Sequence, residues 1–400
     1  MITDEDAVRP FRLAVPQGEL DELRLRIART RWPDDLPGAG WSYGVAGPYL
    51  RELAGYWADG YDWRAHEAEL NAFPQFTTVI DGQNVHFLHV RSPEPDALPL
   101  VLTHGWPSTV HDFTGILGPL TDPRAHGGDP ADAFHVVAPS LPGFAHSGPA
   151  TAPGWGVRRI ASAWAELMRR LGHRRYGAQG GDFGAIVSPE LGRVAPDRVI
   201  GVHLNAPPNA SAPLDAAESA LLTADERARA GANARWWQAH CGYAAQMSTR
   251  PQTVAYALND SPVGQLAWNL EFFVDHDPVA TRQTLPSWDA VLTDVTAFWL
   301  TGTAGSAARL YREIAADGWG RPAPSGVPTG VALFRGDRAI RTLAELSHTV
   351  TRWTAYDTGG HFASLQAPEP LVADVRAFFR TLRRGARPGG AGGGGRRGRA

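Results

Sequence analysis

The sequence predicts an α/β fold in which a mostly parallel sheet is flanked by helices, and three observations carry this prediction. First, strand-like runs alternate with helical stretches between residues 76 and 206 and again after residue 306. Second, Leu98–Thr103 and Phe134–Pro139 are continuous apolar runs, as expected of strands buried on both faces. Third, a Gly-rich turn at residues 180–184 joins another strand-like run to a helical spacing. Together these features predict parallel strands linked by helices.

The composition indicates a folded, enzyme-sized chain. Its 400 residues can bury a sizeable core, and 43% are hydrophobic and 20% charged. The net charge of −3 gives no electrostatic reason to expect nucleic acid or a membrane as partner. No apolar run approaches about 18 residues, and the first six residues are too acidic for a signal peptide, so we expect a cytoplasmic protein. The single cysteine, Cys241, excludes an internal disulfide, and we expect no metal and no organic cofactor.

Residues 1–75 are predicted to form an N-terminal helical segment with three helices. The first, at residues 18–27, has an amphipathic spacing and ends at the Arg-Trp-Pro sequence of residues 31–33. The second is predicted at residues 48–57 and the third at Trp63–Asn71. We interpret the tryptophans of this segment as packing anchors rather than as a binding site.

The remaining chain is predicted to be a core in two parts, residues 76–206 and 306–382, separated by a helical cap insertion at residues 207–305. The first part opens with a hairpin that turns at an Asp-Gly pair. The insertion is rich in aromatic side chains, and we expect it to cover the carboxyl edge of the sheet. Residues 383–400 are almost wholly Gly, Arg and Ala, which predicts a disordered tail.

The Gly-Gly-Asp-Phe-Gly turn at residues 180–184 matches the pattern of a nucleophile elbow. In such an elbow a tight turn from strand to helix exposes one side chain, and small neighbours let the backbone close. Serine is the commonest nucleophile there, but this chain has Asp182. The alternative interpretation is a Gly-rich loop whose Asp182 only caps the next helix. The turn by itself does not favour the elbow.

An acid and a histidine follow in the order that the α/β-hydrolase fold requires. Asp337 comes just after one predicted strand and His361 just after the next. A carboxylate fixes the tautomer of such a histidine and stabilises its charged form. Upstream, Trp106 follows a buried strand, so its N–H and that of Phe183 are predicted to form an oxyanion hole. We interpret His104, two residues before Trp106, as a structural residue of this turn.

An aspartate nucleophile attacks sp³ carbon and gives an alkyl ester, which a histidine-activated water then hydrolyses. Two substrate classes suit this chemistry, epoxides and alkyl halides. They differ in the leaving group, because an epoxide oxygen must be protonated, which tyrosine hydroxyls can do, whereas a halide needs only weak N–H donors.

The chain resembles the microsomal-type epoxide hydrolases from about residue 8 to residue 382. The resemblance rests on several specific segments: Arg-Trp-Pro at 31–33, His-Gly-Trp-Pro-Ser at 104–108, Gly-Gly-Asp-Phe-Gly at 180–184, Leu-Asn-Asp-Ser-Pro-Val-Gly at 258–264 and Gly-Gly-His-Phe-Ala at 359–363. It implies an α/β-hydrolase fold with an epoxide-hydrolase N-terminal region. The family's membrane-bound members have an N-terminal anchor that this sequence does not show, so the resemblance implies a soluble, bacterial-type member.

By this resemblance Asp182 is the nucleophile, Asp337 the acid and His361 the base. Tyr243 and Tyr311 match the two ring-opening tyrosines, which residue reasoning alone would not select from nine tyrosines. Some members of this kind act in natural-product biosynthesis.

The predicted activity is therefore conversion of an epoxide and water to a vicinal diol. The aromatic cap favours a bulky apolar or aryl epoxide, with Trp236, Trp268 and Phe272 as candidate binding residues, although such rings often only pack a cap against its core. A haloalkane or haloacetate dehalogenase and a catalytically silent ligand-binding protein are the alternatives. The sequence leaves a homodimer open.

Overall fold

The computed structural model describes residues 7–207, 214–318 and 322–385, with the side chains of 384 and 385 excepted. The acidic N-terminal stretch used in the signal-peptide argument lies outside these residues, as does the chain after residue 385. Within them, no helix is both long and apolar enough to cross a membrane.

One sheet organises the described part of the chain. Its strand order is β1-β2-β3-β5-β4-β6-β7-β8-β9, and every pairing from β5 to β9 is parallel, whereas β1, β2, β3 and β5 pair antiparallel. The mostly parallel sheet confirms the predicted fold class. The strands are β1 (Arg9–Phe11), β2 (Gln75–Ile80), β3 (Gln83–Val90), β4 (Leu98–Thr103), β5 (Phe134–Pro139), β6 (Tyr176–Gly180), β7 (Val199–Asn205), β8 (Pro328–Leu333) and β9 (Thr349–Ala355). The sequence did not predict β1, which has only three residues.

Helices cover both faces of the sheet, because strands that are apolar on both sides need a partner on each. Leu100 and Leu102 of β4 belong to one hydrophobic cluster and Val101 to a second. The helices outside the insertion are α1 (Gln17–Ala28), α2 (Gly47–Asp59), α3 (Trp63–Asn71), α4 (Thr114–Thr121), α5 (Val157–Arg170), α6 (Gly184–Val194), α14 (Arg341–Glu345), α15 (Ala363–Gln366) and α16 (Pro368–Gly385).

The stretch between β7 and β8 is mainly helical where it is described, with a non-helical connection at residues 274–287. It contains α7 (Ala216–Leu221), α8 (Ala224–His240), α9 (Gly242–Thr249), α10 (Pro251–Asp260), α11 (Pro262–Phe273), α12 (Trp288–Thr301) and α13 (Ala304–Asp317). Helix α13 packs against α9 and α10, and it runs through the predicted boundary at residues 305 and 306.

The N-terminal helices hold α12 by hydrogen bonds from aromatic side chains. The indole N–H of Trp57 donates to the Thr296 hydroxyl at 2.9 Å, and the Tyr56 hydroxyl donates to Asp289 at 2.8 Å. Trp57 is buried, as expected of a packing anchor.

Helix α16 continues through Gly385, so the tail predicted to begin at residue 383 is wrong for its first three residues. The Arg383 guanidinium lies over the Phe134 ring, 4.5 Å from its centroid, and donates to the Ala133 carbonyl at 2.7 Å. These contacts with the core extend the helix into a stretch whose composition alone indicates disorder. The rest of the predicted tail lies outside the described residues.

Candidate active site

The turn at residues 180–184 is a strand-to-helix elbow between β6 and α6. Asp182 has a φ of 52°, in the left-handed region that non-glycine residues rarely adopt. A Cβ on Gly180 would come within 3.0 Å of the Gly184 backbone, and one on Gly184 would come within 3.0 Å of the Thr103 carbonyl. Glycine is therefore needed on each side of Asp182, because any side chain there would force the turn open.

Two backbone amides hold one oxygen of the Asp182 carboxylate. The Trp106 N–H donates to Oδ1 at 2.9 Å and the Phe183 N–H at 2.8 Å. These are the two amides that the sequence analysis named as an oxyanion hole. Trp106 reaches this position because parallel strands β4 and β6 are neighbours and end at the same edge of the sheet.

His361 lies on the other oxygen of the same carboxylate. Its Nε2 is 3.2 Å from Asp182 Oδ2, and its backbone N–H donates to the Gln283 side chain at 2.9 Å. Burial lowers the pKa of His361, but the hydrogen bond to Asp182 and the charges of Asp182, Asp337 and Asp275 outweigh it, so the pKa is raised above the ordinary 6.5. The His361 ring thus contacts the carboxylate of the nucleophile and also lies within the field of the Asp337 and Asp275 carboxylates.

Asp337 occupies a half-buried position after β8. Burial raises its pKa to about 6, although hydrogen bonds from the backbone of Phe334 and Ala206 and the charge of His361 act against this rise. The Phe334 N–H donates to Asp337 Oδ2 at 2.7 Å. Among the described residues, no hydrogen bond joins the Asp337 carboxylate to the His361 ring, so the two interact here through their charges.

Tyr243 of α9 and Tyr311 of α13 face each other above the nucleophile. Their ring centroids are 6.0 Å apart, their hydroxyls are hydrogen-bonded to each other, and the charge of Asp182 acts on both. The Trp106 ring stacks on Tyr243 at 5.2 Å and meets Tyr311 edge-on at 5.7 Å. Burial raises the pKa of both tyrosines well above 10, so both hydroxyls keep their protons at neutral pH.

A cavity of about 150 Å³ opens over these groups. The five residues predicted to be catalytic all contribute to its wall: Asp182, Tyr243, Tyr311, Asp337 and His361. The rest of the wall combines aromatic rings with aliphatic and polar side chains.

Two of the three candidate binding residues line the cavity, and the third does not. Trp236 and Phe272 line the cavity, and the Phe272 ring meets the His361 ring edge-on at 4.7 Å. Trp268 is not among the lining residues. It lies one helical turn before Phe272 on α11 and packs against a hydrophobic cluster. The spacing on α11 brings both rings to one side of the helix, but only the later one reaches the cavity.

Sequence reasoning missed four polar residues of the wall. Asn233 lies on α8, Asp275 and Gln283 lie in the connection between α11 and α12, and Arg338 follows the acid directly. The Arg338 guanidinium lies 3.8 Å from the centroid of the Trp236 ring, a cation–π contact. The position of Arg338 beside Asp337 was a usable signal, whereas Asp275 and Gln283 lie in no motif.

His104 is a structural residue of the turn after β4. Its Nδ1 donates to the Gly105 carbonyl at 2.9 Å, and its Nε2 accepts the Leu141 N–H at 3.0 Å. Burial lowers the pKa of His104 to about 4, which keeps the ring neutral. Both ring nitrogens are therefore used in shaping the backbone that carries Trp106.

The sequence and the fold are both similar to those of known epoxide hydrolases. The family model described as the epoxide hydrolase N terminus matches residues 8–113, and the alpha/beta hydrolase fold model matches residues 99–239. A candidate epoxide hydrolase of Stigmatella aurantiaca is 43% identical over 94% of this chain and 86% of its own length. Epoxide hydrolase 1 of Sus scrofa is 31% identical over 95% of this chain and 90% of its own length. The crystal structure of juvenile hormone epoxide hydrolase from Bombyx mori superposes with a TM-score of 0.82 at 26% identity, covering 94% of this chain and 95% of that one.

Proposed function

The chain belongs to the epoxide hydrolase family, and we propose that it opens an epoxide through a covalent ester on Asp182 and releases a vicinal diol when that ester is hydrolysed. The observation that carries this proposal is that the two oxygens of the Asp182 carboxylate have different partners. Oδ1 accepts two backbone N–H groups, whereas Oδ2 faces His361. One oxygen is held for charge stabilisation, and the other is left for attack.

In the first step Oδ2 of Asp182 attacks one epoxide carbon, and the bond from that carbon to the epoxide oxygen breaks. Tyr243 and Tyr311 hydrogen-bond the epoxide oxygen, and one of them gives it a proton as the ring opens. Because burial keeps both hydroxyls protonated, they can act as acids at neutral pH. The product of this step is a hydroxyalkyl ester of Asp182.

In the second step His361 takes a proton from water, and the water oxygen attacks Cγ of the ester. The Trp106 and Phe183 amides stabilise the negative charge that develops on Oδ1. The bond from Cγ to the alkyl oxygen then breaks, and that oxygen takes the proton from His361 to complete the diol. The second proton of the water is left on the regenerated Asp182 carboxyl, and its transfer to the tyrosine that protonated the epoxide oxygen restores the starting enzyme. The charge of Asp337 stabilises His361 while it carries the proton.

Ester formation also prepares the base. The hydrogen bond and charge of Asp182 are the largest contributions that raise the pKa of His361. Alkylation removes that charge, so the pKa of His361 falls in the ester, which favours the neutral ring that can accept a proton. The same carboxylate thus acts as nucleophile and as a switch for its own hydrolysis.

We propose a bulky apolar or aryl epoxide as substrate. Trp236 and Phe272 supply flat apolar walls to the cavity, and ligand pockets with such walls bind apolar groups and orient them by a few polar contacts.

The test is intact mass spectrometry of the His361→Gln variant with styrene oxide, and separately with a haloalkane. Without the base the ester accumulates, so we expect an added mass equal to the whole epoxide, located on Asp182 by peptide mapping. Wild-type protein treated alike should return to its own mass. An adduct from the haloalkane alone would contradict the proposal and indicate a dehalogenase; no adduct with any member of an epoxide panel would refute covalent catalysis.

A further inference from the structure

A second, smaller cavity of about 30 Å³ lies on the far side of the nucleophile. Among the described residues, Asp182 and His361 are the two that line both this cavity and the substrate cavity. The nucleophile and the base therefore form the partition between the two spaces. We refer to the smaller space as the rear cavity.

The rear cavity has the size of a water site, and polar side chains stand among apolar ones in its wall. A buried cavity needs about 10–15 Å³ by this measure to hold one water molecule, together with polar partners. Gln179 of β6 and Asn205 at the end of β7 contribute amide groups, and Ser108 and Asp112 line it from the turn after β4. The volume suits one water molecule, and these polar groups can serve as its hydrogen-bond partners.

Gln179 provides an unsatisfied acceptor in this wall. Its side chain is 2% exposed, and its Nε2 donates to Asn205 Oδ1 at 2.8 Å. Within the described part of the chain, its Oε1 has no hydrogen-bond partner. A buried amide oxygen is rarely left in this state, because losing its hydrogen bond to solvent is costly. A water molecule in the rear cavity would satisfy it.

Gly181 makes room for this amide pair directly behind the nucleophile. A Cβ on Gly181 would lie 2.9 Å from Cγ of Asn205 and closer to its amide nitrogen. Any larger residue would push the Asn205 amide away from the turn that carries Asp182. The second glycine of the elbow thus serves the rear cavity rather than the turn itself.

Asp112 adds a buried carboxyl to this wall. It is hydrogen-bonded to Asp294 of α12, which also accepts the Thr109 hydroxyl at 2.6 Å. Burial and the nearby Asp294 raise the pKa of Asp112 well above its ordinary value, which disfavours a second negative charge beside Asp182.

We propose that the rear cavity holds the hydrolytic water, with Gln179 accepting a hydrogen bond from it and Asn205 orienting Gln179. From there the water oxygen attacks Cγ of the Asp182 ester, one proton passes to His361 Nε2, and the bond to the alkyl oxygen breaks. The alkyl group of the ester fills the substrate side, so water that arrives from the rear does not have to pass it. This inference rests on the covalent mechanism proposed above, and it makes Gln179 and Asn205 positioning residues for the second step.

The experiment compares Gln179→Met with Gln265→Met. Methionine keeps the length of the side chain and removes the amide. Gln265 is the matched control because it is fully buried, its Nε2 donates to the Val295 carbonyl, and its Oε1 also lacks a described partner, yet it lines neither cavity. Rapid-quench mass spectrometry with styrene oxide follows the ester on Asp182 as it forms and decays.

We expect the Gln179→Met ester to form at the wild-type rate and to decay about 10- to 100-fold more slowly, the range for a mispositioned reactant. Because kcat/KM reports only the steps up to alkylation, it should stay within about twofold of wild type while kcat and KM fall together. Gln265→Met should leave both rate constants unchanged. Equal slowing of formation and decay, or normal decay in Gln179→Met, would overturn the proposal.

A crystal structure of the unmodified protein provides a test that needs no variant. We expect an ordered water within hydrogen-bond distance of Gln179 Oε1, and an empty rear cavity would refute the inference. Failure of this inference is distinct from failure of the mechanism. In the first case His361→Gln still accumulates the ester; in the second it does not.

Discussion

Gly105→Ala should displace the nucleophile without replacing any reacting group. A Cβ at Gly105 would lie 2.6 Å from Cγ of Asp182, whereas ordinary contacts begin at 3.4 Å. The carboxylate would therefore have to move by about 0.8 Å or more. Such a move lengthens the hydrogen bonds that Trp106 and Phe183 donate to Oδ1, now 2.9 and 2.8 Å.

The expected cost follows from this displacement. A misplacement of about 1 Å at a reacting centre lowers the rate by about 100-fold, or about 2.7 kcal/mol of activation free energy. We expect kcat/KM for styrene oxide to fall by roughly this factor in Gly105→Ala. The fold should remain, because the conflict is with one side chain and not with backbone.

Initial rates of diol formation, with thermal unfolding measured in parallel, check this prediction. Gly115→Ala is the control, since Gly115 is an exposed position of α4 and a Cβ there meets nothing within 4 Å. It should retain full activity. A Gly105→Ala enzyme with kcat/KM within about threefold of wild type would show that the Asp182 carboxylate tolerates displacement, and the reasoning from its two amide contacts would be wrong.

Three further predictions concern the acid–base groups. Changing both Tyr243 and Tyr311 to Phe should abolish alkylation of Asp182, since each general acid contributes about 10²–10⁴-fold; undiminished alkylation in the mass assay would refute their role. The pKa of His361 is raised in the free enzyme, so NMR titration should place it above 6.5. The pH dependence of the ester decay rate reports the pKa of His361 in the ester, and this pKa should be lower because the charge of Asp182 is then absent. Equal pKa values from the two measurements would contradict the switch. The pKa of Asp337 is raised to about 6, so its stabilising contribution is full below its unfolded value of 3.8 and is lost as pH rises through 6. Asp337→Asn should therefore have a free energy of unfolding about 2–3 kcal/mol above that of wild type at pH 8, and this advantage should vanish near pH 4; a variant less stable at pH 8 would refute the assignment.

The sequence by itself determined the features that depend on short stretches of chain. Alternating hydrophobic runs predicted the parallel strands, because a strand buried on both faces is apolar throughout. The elbow could be predicted because its glycines are required by contacts with residues close by in the chain or in the neighbouring strand, as the contact of Gly180 with Gly184 shows. The order of Asp182, Asp337 and His361 along the chain predicted three strand ends that meet at one edge of the sheet.

Only the tertiary structure decided which distant groups meet. His361 reaches Asp182 across 179 positions of sequence, and no local pattern sets that 3.2 Å separation. The same limit explains why Trp268 was chosen beside Phe272, since helical spacing gives the side of α11 but not how far the cavity extends along it. It also explains why Gln179 was missed. Its amide has a role only because β6 and β7 are neighbours and Asn205 turns it toward a cavity that no single stretch of the chain encloses.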